Sequence, residues 1–220
     1  MRSLKSMILL LFFNFVFAQN IYRYGSTAVN FLEIGVGSAN AAMGDAGVSF
    51  ADGPASVYWN PAALAFIERN ENAFMLQPWI LDINMMFIGS TINVKRLGFF
   101  EEVTVDQNPF GFSLTHMGYG DMEVTTMAQQ EGTGEKFSAN EFSAAFTYSR
   151  KIVQWFSFGA SAKIINSKIW HSSANAFALD LGAIVNTEFL SPNGSKEDGL
   201  RIGMSISNYG SRLQYDGIDL

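Results

Sequence analysis

Cysteine is absent from all 220 residues. That excludes a disulfide framework, a thiolate metal site and a cysteine nucleophile. Histidine is nearly absent too, and two residues leave little for a histidine-based metal or catalytic centre. Charge is sparse: 15% of residues are Asp, Glu, Lys or Arg, against about 25% in an average soluble domain. The balance is acidic, with a net charge of −6, and a nucleic-acid binder needs a basic face to neutralise phosphates. Long apolar runs are missing as well. After Gln19 no window reaches the ~18 consecutive apolar residues of a membrane-spanning helix. Yet 48% of the residues are apolar and the mean hydropathy is positive, which excludes a disordered tail or a solvated coiled coil. The apolar content belongs either in a soluble core or in a barrel. The length permits one or two domains, and the composition points away from an enzyme.

The N-terminus reads as a targeting segment. Arg2 and Lys5 precede the unbroken apolar run Met7 to Phe13, and after Asn14 the run resumes as Phe15-Val16-Phe17-Ala18. Val16 and Ala18 lie three and one positions before a cut ahead of Gln19, the small-residue pattern that signal peptidase reads. The stretch is about a dozen residues, whereas a spanning helix needs ~20. A membrane anchor is the alternative, and with no Cys after the run lipoprotein processing is excluded. Residues 1–18 are therefore expected to be a cleaved signal peptide. Cleavage removes two of the 14 basic residues, leaving 12 against 20 acidic ones, a balance of −8.

Alternation decides between core and barrel. Phe142, Ala144, Phe146 and Tyr148 share one face, with Ser143, Ala145, Thr147 and Ser149 on the other. Phe156, Phe158, Ala160, Ala162 and Ile164 oppose Ser157, Gly159, Ser161 and Lys163. Residues 177–189, 200–208 and 110–115 repeat the pattern, and a period of two means strand. These strands run about nine to thirteen residues, the ~9–11 needed to span a bilayer and longer than the ~5–6 of soluble strands. Their polar faces carry Gly and small residues, which suit a lumen, and aromatics (Tyr119, Tyr148, Trp155, Trp170, Phe189) fall near strand ends, where an interfacial girdle would sit. A periplasmic β-sandwich is the competing architecture. Further strands are expected at 73–81, 85–94 and weakly 97–105, with a turn at Asp82-Ile83-Asn84 and polar loops at 128–136 and 191–199. That makes about eight strands between Ala73 and Asn208. The tail after Asn208 neither alternates well nor ends on an aromatic, and a membrane barrel must close to satisfy its edges. The chain therefore reads as the N-terminal part of a longer protein.

Residues 33–67 are of another kind, rich in Ala and Gly and without a strand period. Asn60 before Pro61 is a helix start, an Asn cap followed by Pro where its missing N–H costs nothing. Asp52-Gly53-Pro54 offers a second start, for a turn carrying Val57, Tyr58 and Trp59. Gly35-Val36-Gly37 is not a nucleotide loop, because no Gly-Lys-Ser/Thr follows.

The block Gly44-Asp45-Ala46-Gly47-Val48 through Ala51-Asp52, then Tyr58-Trp59-Asn60-Pro61-Ala62, resembles the N-terminal signature of the PorV/PorQ family of outer-membrane proteins. Gln77-Pro78-Trp79-Ile80-Leu81-Asp82-Ile83, Gly118-Tyr119-Gly120-Asp121, Glu131 to Glu135, Phe177 to Gly182 and Ile206-Ser207-Asn208-Tyr209-Gly210 match as well. The resemblance runs from about Phe31 to Gly210; its Asn-Pro-Ala motif is shared with FadL-like channels. It implies an all-β fold, a transmembrane antiparallel β-barrel of FadL-like type with about fourteen strands when complete. Residues 19–71 would form a small helical plug in the lumen and 72–220 the first part of the barrel. It further implies bacterial outer-membrane localisation and a role in type IX secretion, holding or shuttling secreted cargo at the cell surface. The implied partners are membrane lipid and lipopolysaccharide, cargo proteins and a surface sorting peptidase. Gly44, Asp45, Asp52, Asn60, Pro61 and Ala62 are the candidate plug-motif or binding residues. Gly53 stands where many relatives carry a second acidic residue.

His116 and His171 read as interfacial residues, and Asp180, Glu188 and Lys163 as residues of the polar, lumen-facing side. No Ser/His/Asp set or carboxylate pair has a spacing that signals chemistry, so no catalytic, metal or cofactor residue is expected. The alternative function is a FadL-like channel for uptake of hydrophobic compounds. The mostly Ser, Gly, Thr, Asn and acidic lumen face leans against it.

Overall fold

A computed structural model describes residues 29–93, 109–196 and 198–217. The expected signal peptide and the weak strand at 97–105 lie outside these residues. The chain divides into two compact units, 1–30 and 31–220. Only Val29 and Asn30 of the first unit are described; the sheet and the segment ahead of it belong to the second.

Seven strands form one antiparallel sheet in simple sequential order: β1 (Glu71–Pro78), β2 (Asn84–Asn93), β3 (Pro109–Glu123), β4 (Lys136–Val153), β5 (Phe156–Ile169), β6 (Ser172–Asn186) and β7 (Arg201–Gly210). Each expected strand among the described residues is present, and most are longer than alternation alone suggests. β4 extends to 18 residues, well past the expected 142–150, because Lys136–Glu141 pairs with β3 although its own side chains alternate poorly. The first turn is shifted by a residue or so. Leu81 and Asp82 take the left-handed φ values of 53° and 57°, and the Trp79 N–H donates to the Ile83 carbonyl at 2.8 Å. Trp170 and His171 alone join β5 to β6, which pairs Ile169 with Ser172 and sets the register of that hairpin.

Ahead of the sheet, Phe31–Ile67 forms short helical pieces: α1 (Ser38–Ala42), α2 (Gly47–Phe50) and α3 (Ser56–Trp59), with 3-10 turns at Gly53–Ala55 and Pro61–Phe66. None exceeds six residues, fewer than an isolated helix needs to persist. Their stability must come from what they pack against. That is one face of the sheet. Met85 and Phe87 of β2 pack with Val36, Ile34 and Tyr58. Ala145 of β4 meets Val57, Leu64 and Ile67, and Ile184 of β6 meets Ala62 and Ala63.

The face so covered is the small, polar one. Ser143, Thr147, Ser149, Ser157, Ser161, Ser167, Lys163 and Asp180 are all buried. The opposite face carries Phe112, Phe146, Phe158, Ile164, Phe177, Leu179, Leu181, Ile202, Met204 and Ile206, all exposed; Phe177 shows 69% of its surface. Phe110 stacks on Phe146 with ring centroids 5.6 Å apart and meets Tyr148 at 5.4 Å. A soluble sheet buries its apolar side because water rejects it. Here the sides are reversed.

Candidate functional site

The contact between the N-terminal segment and the covered face is built from the two starts legible in the sequence. Asp52 accepts a hydrogen bond from the Gly53 N–H at 2.8 Å and caps the turn Gly53–Ala55. Ser56 then closes onto the Gly53 carbonyl at 2.6 Å, and α3 delivers Tyr58 and Trp59. Asn60 ends α3 in an extended conformation and caps the next turn, its Oδ1 accepting from the Ala62 N–H at 3.0 Å.

The other end of the Asn60 amide ties the segment down. Nδ2 donates to the Val48 carbonyl at 2.8 Å, and lies 3.4 Å from the carbonyls of Ala183 in β6 and Met204 in β7. The side chain is wholly buried. The Ala62 carbonyl accepts from Ser157 at 2.9 Å and Ser149 at 3.3 Å, while Gly203 donates to the Ser49 hydroxyl at 2.8 Å. Polar wall residues thus satisfy backbone groups that the short helices leave open, which removes the cost of burying them.

Glycine sets the closeness of the approach. A Cβ on Gly159 would lie 2.4 Å from the Pro61 carbonyl carbon, and one on Gly182 2.0 Å from Asn60 Oδ1. On Gly203 it would lie 2.4 Å from the Val48 oxygen, and on Gly111 2.6 Å from Val57. Four strands each give up a side chain where the segment presses hardest. Within the segment Gly47 does the same for Trp59, whose ring would stand 2.4 Å from such a Cβ.

Two aromatic side chains hold the segment to its own beginning. The Trp59 indole N–H donates to the Val36 carbonyl at 2.8 Å. The Tyr58 hydroxyl lies 2.6 Å and 2.8 Å from the carbonyls of Leu32 and Ile34, which share its single proton. Burial, followed by the charges of Asp45, Asp180 and Glu33, raises the Tyr58 phenol above its ordinary pKa.

The six candidate residues do not form one cluster. Asn60, Pro61 and Ala62 come together at the wall. Asp52 is exposed and engaged in its own turn, and Gly44 and Asp45 form an exposed corner with left-handed φ values of 68° and 63°. Gly53 also has a left-handed φ, 57°, and a Cβ there would stand 2.8 Å from a Glu71 carboxylate oxygen. An acidic residue at this position would meet both backbone strain and like charge.

Pattern reading missed a pairing on the covered face. Lys163 of β5 and Asp180 of β6 form an ion pair at 2.6 Å, with side chains 5% and 0% exposed. Asn208 completes it: its amide oxygen accepts from Lys163 at 2.8 Å and its backbone N–H donates to Asp180 at 2.7 Å. It does so from a left-handed φ of 57° where the β6–β7 register shifts. The tight turn at Trp170-His171 makes Lys163 and Asp180 diagonal neighbours, so the hairpin register was the signal that would have found them. Farther along the face, the Glu141 carboxylate accepts from Tyr119, and from Ser167 at 3.2 Å. The Ser167 hydroxyl in turn lies 2.7 Å from that of Tyr215. Glu188, expected on the polar face of a strand, lies beyond the end of β6 in a loop, 3.7 Å from Lys196. His116 stands on the open face opposite Met86 and Phe142, and His171 stacks on Trp170 at 4.4 Å.

Among the described residues no helix is long and apolar enough to cross a membrane. The strands themselves are two-sided. Their small polar side is buried under the chain's own segment and their apolar side is exposed, an arrangement that fits an outer-membrane β-strand protein. A family model described as type IX secretion system protein PorV matches residues 17–219, and the chain belongs to that family. No curated protein matches it. The family is one of type IX secretion-system components of the outer membrane.

Proposed function

We propose that the chain belongs to a plugged outer-membrane barrel that holds or shuttles secreted cargo at the cell surface in type IX secretion. In this reading 1–18 is the signal peptide, 19–71 the lumenal plug and 72–220 the barrel wall. The observation that carries it is the seating of Asn60-Pro61-Ala62 on β5, β6 and β7. That seating takes up the amide of Asn60 and the carbonyl of Ala62, and glycine contacts leave no slack beneath it. The covered face is lined by Ser, Thr, Lys, Asp and Glu, a poor path for a hydrophobic compound. Both features favour a barrel whose rim and loops meet protein partners over a FadL-like channel. Asn60, Pro61 and Ala62 build the plug, and the exposed Gly44, Asp45 and Asp52 are left for a partner. The partners are cargo proteins and a surface sorting peptidase, in a setting of lipid and lipopolysaccharide.

The test is a pull-down of the protein, tagged in the 187–200 loop, from detergent-solubilised outer membranes of its own organism. Co-purification of proteins with C-terminal sorting domains, or of a surface peptidase, is the expected result. Recovery of the barrel alone with bound lipid or hydrocarbon would replace this reading by the channel.

A further inference from the structure

We propose that Lys151, Arg201 and the ring of Phe66 form a phosphate-binding site at one end of the covered face. Lys151 lies near the end of β4, two residues beyond buried Ser149, and Arg201 opens β7 two residues before Gly203. Strand parity therefore aims both at the side where the N-terminal segment sits. Phe66, last residue of the turn Pro61–Phe66, is their common neighbour. The Lys151 ammonium and the Arg201 guanidinium each lie 4.8 Å from its ring centroid. The two charges are thus no farther apart than twice that distance.

Both cations are half-buried, and among the described residues neither makes an ion pair. The Arg201 side chain donates no hydrogen bond there, and its Nε is buried without a partner. Asp52 is the opposing charge that acts on Arg201, but it stands outside ion-pair distance and is held by the Gly53 N–H. Lys163, the buried cation of the same face, has Asp180 as its partner. The ring offsets part of the repulsion between two like charges, as a cation–π partner does. It cannot take the guanidinium's hydrogen bonds, and a buried donor left unmade is unfavourable.

The arrangement fits an oxyanion of two negative charges. A phosphate monoester carries about −1.5 to −2 at neutral pH, matching two monocations, and its oxygens accept the paired donors of a guanidinium fork. Free phosphate and a lipid headgroup both present this chemistry. Lys151 and Arg201 lie at strand ends, the level at which headgroups lie, on the side that the segment covers.

Two measurements on the full chain test the site. In detergent, thermal unfolding is followed in sodium phosphate and in sodium chloride of equal ionic strength. Phosphate should raise Tm in a concentration-dependent way beyond chloride, as a ligand of the native state does, and Arg201→Gln and Lys151→Gln should each abolish the excess. Arg201→Lys, which keeps the charge without the fork, should keep only part of it; it also serves if the glutamine variant does not fold. In nanodiscs containing phosphatidic acid and phosphatidylcholine, native mass spectrometry reads which lipid stays bound. Preferential retention of phosphatidic acid, lost in the variants, assigns the site to a headgroup. An excess shift without such retention assigns it to free phosphate. Equal behaviour in phosphate and chloride with no lipid preference overturns the proposal, as does an excess undiminished in both glutamine variants.

Discussion

Lys163 and Asp180 face each other at 2.6 Å from adjacent strands, almost wholly buried, with Asn208 hydrogen-bonded to both. A pair so placed is held by mutual neutralisation. Removing one partner leaves an uncompensated buried charge, which destabilises by about 3–5 kcal/mol, whereas replacing both is often near neutral. Lys163→Met should therefore lower the urea midpoint of the refolded protein sharply, and Lys163→Met with Asp180→Leu should recover most of the loss. A double variant as weak as the single one would show that the pair does more than neutralise itself.

The wall glycines give a second expectation. Gly182→Ala and Gly159→Ala each set a methyl against Asn60 or Pro61 closer than atoms pack, and overpacking of this kind costs about 1–3 kcal/mol. The segment should loosen before the sheet does. Limited proteolysis should cut within residues 31–67 faster in these variants. Gly118→Ala is the control, since its Cβ meets nothing nearer than 3.5 Å and cleavage should match the parent.

Asn60→Ala removes a cap and a tie together. Loss of an Asn cap alone costs about 0.5–2 kcal/mol. Asn60→Asp keeps an acceptor for the Ala62 N–H but turns a carboxylate toward the carbonyls of Val48, Ala183 and Met204. The aspartate variant should therefore be the less stable of the two by chemical denaturation, the reverse of a purely local capping role.

Tyr58 predicts an alkaline limit. Burial and neighbouring carboxylates raise its pKa above the ordinary 10.0, so folding favours the protonated phenol. The stabilisation is fully present below pH 10, declines as pH climbs past it, and is lost through the folded-state pKa. Stability measured from pH 8 to 12 should fall at the upper end, and Tyr58→Phe should flatten that part of the curve while lowering stability at neutral pH.

Much of the fold was legible because spanning strands in this chain carry their period openly. Phe142 to Ser149 and Phe156 to Ile164 alternate without a break, and Asn60-Pro61 and Asp52-Gly53-Pro54 announce their turns by local capping chemistry. Lys136–Glu141 was not legible, since its strand state depends on pairing with β3 and not on its own pattern. The functions of Gly159 and Gly182 were hidden for a similar reason: small residues on a polar face suggest room, but not what fills it.

The sequence by itself determined that this is an all-β chain with a small-residue face and an apolar face, preceded by a segment of Ala, Gly and capped turns. Period and capping act over a few residues, so a linear reading reaches them. Only the tertiary structure decided which face is covered and by what. It also decided that Asn60 reaches β6 and β7, that Lys163 meets Asp180, and that Lys151 and Arg201 converge on Phe66. Those contacts join residues up to 144 positions apart. Hydrogen-bond geometry and steric exclusion at such separations are set by strand register and by the seat of the segment, and neither is written in any local stretch of the chain.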